Sequence, residues 1–168
     1  MTRWSGAPRA LLMVIALACG AGEAPAAGDK ARGAYLARIM DCGGCHTPGA
    51  LVGAPKENEP LSGGDVGFGI PKLGVFFPPN LTSDKTGLGD WSEADIVRAV
   101  RQGVRPDGRM LAPAMPWRSY AALTDQDAAD LAAYLKSLPA TARQVPGPFG
   151  PNDKVPAPYL GVIMPAGK

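Results

Sequence analysis

A chain of 168 residues, 46% of them hydrophobic and 19% charged, holds one domain's worth of core. Its formal net charge is only +2, and no basic block or aromatic-basic interleaving runs through it, which excludes a nucleic-acid binder. The 22 glycines and 18 prolines stand against 7% aromatic residues, so something besides side chains is expected to fill the interior.

The N-terminus carries Arg3 and Arg9, an apolar run from Ala10 to Cys19, and the small-residue site Ala24-Pro25-Ala26. That order predicts a secretory signal peptide over residues 1–26, cleaved after Ala26, and hence a periplasmic protein. The apolar run is too short for a bilayer-spanning helix, so no membrane span is expected in the mature chain. A rival reading places lipoprotein processing at Cys19, which would tether the same exported domain by lipid. Loss of Arg3, Arg9 and Glu23 with the leader leaves 15 basic against 14 acidic residues. A domain over 27–138 and a Pro-rich tail over 139–168 are expected.

Along the mature chain, Ala31, Ala34, Tyr35, Arg38 and Ile39 recur at three- and four-residue spacing, predicting a helix at about 29 to 41. Residues 47 to 90 are rich in Gly and Pro, with no helical period and at most a brief extended piece. So long a structureless segment is uncommon in a compact domain unless it wraps something. "WSEADIVRAVRQG" predicts a helix with Ser92 as N-cap, Asp95 at the capping-box position and Gly103 as its stop. "RPDGRMLAPAMPW" reads as a Pro-bounded loop and "RSYAAL" as a short helical turn. "TDQDAADLAAYLKSLP" predicts the last helix, with Thr124 as N-cap and Pro139 as terminator. The tail is expected to lie over the domain in extended form.

Within "MDCGGCHTPGA", two cysteines and the only histidine fall within five positions. A thioredoxin-like thiol pair needs a preceding strand, and none is legible. A structural zinc site needs four ligands, whereas the mature chain offers Cys42, Cys45 and His46 as its soft donors. A simple disulfide leaves the histidine unexplained. The remaining reading is covalent attachment of one haem c, with Cys42 and Cys45 as thioethers and His46 as proximal iron ligand. Such a ligand would also fill the thin core. A sole histidine rules out bis-histidine ligation within the chain, which leaves methionine, a nitrogen donor or an open site. Met115 is the expected distal ligand, because Pro113 and Pro116 stiffen the loop that presents it. Met110 is its competitor, Met40 is expected to pack against a neighbour, and Met164 sits in the tail without a motif. Arg105 and Arg109 are candidates to neutralise haem propionates, with Asn80, Trp91 and Trp117 as candidate donors. No catalytic residue is expected.

These pieces, an N-terminal helix with Gly33 and Tyr35, then "CGGCH", a middle helix, "PAMP" and a final helix with "LAAYLKSLP", resemble a class I c-type cytochrome in their order. The resemblance covers about residues 29 to 139. It implies an all-α fold, three to five helices around a covalently bound haem with long Gly/Pro-rich loops. It also implies that Gly33 and Tyr35 meet Leu131, Tyr134 and Leu135 where the first and last helices cross. More specifically, "PPNLTSDKTGLGDWSEADIVRAVRQGVRPDGRMLAPAMPW" is similar to the haem domains in cytochrome subunits of membrane-bound alcohol and gluconate dehydrogenases. Those subunits carry three attachment motifs where this chain has one. The likeness implies single-electron transfer between redox partner proteins, a dehydrogenase donor and an oxidase or other cytochrome acceptor. A haem enzyme or gas sensor with an open distal site is the alternative.

Overall fold

The computed structural model describes Met1 and residues 27–163; the leader, Cys19 and Met164 lie outside the described residues. Five helices, α1 (Lys30–Ile39), α2 (Cys42–His46), α3 (Glu93–Gln102), α4 (Trp117–Tyr120) and α5 (Asp125–Ser137), alternate with long loops. Three short strands, β1 (Gly67–Ile70), β2 (Gly74–Phe76) and β3 (Tyr159–Gly161), join them.

Each long helix starts where its cap says. The Asp29 carboxylate accepts from the Ala31 and Arg32 amides at 2.8 and 3.2 Å. Ser92 and Asp95 form a reciprocal capping box on α3, and the Thr124 hydroxyl accepts from the Asp127 amide at 3.0 Å. Gly103 ends α3 at φ 71°, a left-handed conformation that glycine adopts without a Cβ clash.

The crossing of α1 and α5 is the frame of the domain. A Cβ on Gly33 would lie 2.0 Å from the Asp130 carbonyl oxygen, so only glycine permits this approach. Beside it the buried Asp130 carboxylate accepts from the Asp29 amide at 2.7 Å and from Gln126 Nε2 at 2.7 Å, satisfying a group that would otherwise be costly to bury. Leu36 and Ala37 on α1 join Ile96 and Val100 of α3 and Leu131, Ala132 and Leu135 of α5 in one core cluster. Each large aliphatic side chain buried there contributes about 1.5–3 kcal/mol. Tyr35, expected at the crossing, is 53% exposed, lines a cleft with Tyr134 of α5 and has the Arg32 guanidinium 5.2 Å from its ring centroid, while Leu36 and Ala37 occupy the inward face.

The fold is not the all-α arrangement expected. β1 pairs antiparallel with β2 (Phe68 opposite Phe76) and parallel with β3 (Phe68 opposite Leu160), giving a three-stranded mixed sheet in the order β2-β1-β3. Two features hid it. The strands are three or four residues long and interrupted by Gly67, Gly69 and Gly74, so they show no alternating pattern. The third strand comes from the tail, and no local signal announces a pairing so distant in sequence. Gly74, at φ 115°, is needed because a Cβ there would lie 2.0 Å from the Phe149 carbonyl oxygen. Phe149 and Val75 exchange two backbone hydrogen bonds at 2.9 Å, which extend the tail's hold on the sheet.

Candidate haem-attachment site

α1 ends at Met40, and Asp41, at φ 54°, reverses the chain into the single helical turn of α2. On such a turn positions i, i+3 and i+4 share a face, so Cys42, Cys45 and His46 point one way and Gly43 and Gly44 the other. Gly43 and Gly44 accordingly line a cleft of about 680 Å³ with Tyr35, Arg38, Lys56 and Leu61, and none of Cys42, Cys45, His46 or Met115 borders it. A Cβ on Gly44 would meet the Asp41 carboxylate at 2.3 Å, so that side chain would have to swing aside, whereas Gly43 has open space beyond the Thr47 hydroxyl at 3.7 Å.

His46 is buried, and its Nδ1 lies 2.8 Å from the Pro79 carbonyl oxygen. A carbonyl can only accept, so Nδ1 carries the proton and the Nε2 lone pair is left free. Burial lowers the imidazole's proton affinity below its ordinary value, outweighing the Pro79 contact that raises it. The ring is thus a neutral, oriented donor. Burial also pushes the Cys42 thiol up to about 11, and raises Cys45 as well. Both sulfurs stay protonated near neutrality, unlike activated redox thiols, and no disulfide joins them.

Met115 sits half-buried in the loop before α4, its amide donating to the Ala112 carbonyl at 2.9 Å. Met110 is 50% exposed and tied into a bridge with Val104. Met40 packs on the core cluster as expected. The Tyr120 hydroxyl, which sequence reasoning passed over, donates to the Met40 carbonyl at 2.8 Å. That bond links α4, just past the Met115 loop, to the chain two residues before Cys42. Its only sequence signal was a tyrosine in a short helical turn.

The candidate propionate donors separate. Asn80 is occupied, its Nδ2 donating to the Thr141 carbonyl at 2.8 Å and to the Thr86 hydroxyl at 3.0 Å. Arg105 stacks 5.0 Å from the Trp91 ring centroid, and Arg105 and Arg109 share Asp107 at 3.5 and 3.9 Å. Trp117 Nε1 is buried with no acceptor among the described residues. A buried, unpartnered indole N–H signals a missing acceptor. Together with the free Nε2 of His46 and two protonated thiols on one face, it shows that the residues fit a haem carrying carboxylates. Among the described residues no cluster of three or more His, Cys, Asp or Glu side chains could hold a bare metal ion, and no helix is long and apolar enough to cross a membrane.

Known proteins point the same way. The chain is 43% identical over 104 residues to the gluconate 2-dehydrogenase cytochrome c subunit of Pantoea cypripedii, an alignment covering 61% of this chain and 22% of that subunit. It is 36% identical over 126 residues to the fructose dehydrogenase cytochrome subunit of Gluconobacter japonicus, covering 70% of this chain and 24% of the relative. A diheme cytochrome c-type of Cereibacter sphaeroides is 34% identical over 117 residues, covering 69% and 38%. The chain thus spans well under half the length of these relatives. A family model for cytochrome c matches residues 30–139, from the first residue of α1 to just past α5, and the chain belongs to the cytochrome c family.

Proposed function

We propose that the protein is an exported monohaem electron carrier, with a domain over 27–138 that passes single electrons from a periplasmic or membrane dehydrogenase to a respiratory acceptor. The observation that carries this reading is His46, buried, neutral, held at Nδ1 by Pro79 and open at Nε2, one residue after the second of two thiols on its own face. The family implies a covalent haem c, and such a group supplies a one-electron iron couple when bound. Cys42 and Cys45 would fix it to α2, and His46 would ligate its iron. Met115 would supply the second iron ligand, since it is half-buried between prolines whereas Met110 is exposed. Fixed ligands keep reorganisation small on electron exchange, so no side chain needs to move a proton. The dehydrogenase subunits among its relatives support a dehydrogenase as donor. The signal-like N-terminus supports export.

The test is the optical spectrum of matured protein, ferric and reduced, for wild type and Met115→Ala. A weak red-edge ferric band in the wild type, lost in the variant together with a gain in carbon monoxide affinity, is expected for Met115 ligation. A wild type that lacks the band and binds the gas freely has an open distal site, and electron carriage by a His/Met centre is then wrong.

A further inference from the structure

Residues 140–145 lie beyond the family match, yet they pack directly on the two segments that hold His46. Around the ring, Pro79 supplies the acceptor for Nδ1 at 2.8 Å, and the next residue, Asn80, is 1% exposed. Asn80 Nδ2 donates to the Thr141 carbonyl at 2.8 Å, while the Thr141 amide donates to the Thr82 hydroxyl at 3.2 Å. Around the main chain, the Gly63 amide donates to the His46 carbonyl at 2.8 Å. Val145 of the tail lies against Gly63, where a Cβ would sit 2.5 Å from its Cγ1. Arg143 closes the same strap, its amide donating to the Thr86 hydroxyl at 3.2 Å and its guanidinium 3.5 Å from Glu59. Farther on, Phe149 and β3 anchor the strap to the sheet.

We infer that the tail, through Asn80–Thr141 and Val145–Gly63, is a positioning element that holds Pro79 and Gly63 on His46 and so tunes its donor strength. This rests on His46 being the proximal ligand. An imidazole whose N–H is firmly hydrogen-bonded is a stronger donor to iron and favours the ferric state. Loosening the strap lengthens that bond, weakens the donor and raises the reduction potential.

The test uses full-length, haem-loaded protein. Asn80→Leu replaces the donating amide with an uncharged side chain of similar size that cannot bond the Thr141 carbonyl, and Val145→Ala removes the contact on Gly63. Both are expected to raise the ferrous-to-ferric ratio at the wild-type midpoint about three- to tenfold, the range set by one hydrogen bond. Both should also shift the His46 ring resonances in the paramagnetic NMR spectrum. Ser92→Ala, a destabilising change away from the tail, should leave both readouts in place. If the two variants lower the melting temperature as Ser92→Ala does but leave potential and ring resonances unchanged, the tail is a stability strap and the inference is wrong. Should Asn80→Leu fail to mature, Val145→Ala decides. A wild type that takes up no haem would overturn the proposed function itself, an outcome distinct from haem-loaded variants with unaltered potentials.

Discussion

Tyr120 shows how one hydroxyl joins two halves of a site. Its bond to the Met40 carbonyl satisfies a helix-terminal acceptor and couples α4 to the attachment turn. Tyr120→Phe is expected to cost about 1 kcal/mol of stability. It should also let exogenous imidazole compete severalfold better for the distal position of the matured protein, read by spectral titration; an unchanged affinity would show that the bond does not hold the Met115 loop. Trp117 is the complementary case, a buried N–H with no acceptor among the described residues. The grouping of Cys42, Cys45 and His46 on one helical turn was legible in the sequence because C-x-x-C-H has a fixed local spacing. Tyr120, and the diversion of Asn80 to Thr141, were not, since both partners lie far along the chain.

At the scale of elements, caps and close approaches carry the predictions. Ser92→Ala removes one arm of the α3 capping box and is expected to cost about 1 kcal/mol in thermal unfolding. Gly33→Ala sets two effects against each other. Helix propensity favours alanine by about 1 kcal/mol, but the added Cβ would meet a backbone oxygen at 2.0 Å, which no side-chain rotation relieves. Overpacking, typically 1–3 kcal/mol or about that, wins, so the melting temperature should fall. Between the same helices, Arg32 bonds Asp127 at 3.0 Å, and that bond, followed by the Thr124 hydroxyl, holds the Asp127 carboxyl below its ordinary value of 3.8. A depressed carboxyl stabilises the fold above its ordinary range and loses that effect as pH falls through the lowered value. The melting-temperature gap between wild type and Asp127→Asn should therefore shrink on acidification, and a gap that stays constant would show that the ion pair contributes nothing. Helices were legible because their periodicity and caps are local; the sheet was not, because its glycine-broken strands acquire meaning only when β3 arrives from the tail.

For the whole molecule, the question is what fills a domain so poor in aromatics. The core cluster joins α1, α3 and α5, while Leu81, Trp91, Val97 and Tyr120 around it are only partly buried. A Cys42→Ser/Cys45→Ser variant, unable to attach haem, is expected to lose cooperative unfolding and near-UV dichroism while keeping much of its helical signal. A sharp melt retained in that variant would mean the side chains suffice. The sequence by itself determined the helix ends and the placing of both thiols and the sole histidine on one turn, since each depends on residues adjacent or one turn apart. Tertiary structure alone decided which nitrogen of His46 is free, which face Tyr35 takes, and that the tail closes a sheet and braces the segments around His46. Those outcomes depend on contacts between residues tens of positions apart, whose formation is governed by packing of the whole chain and leaves no local pattern to read.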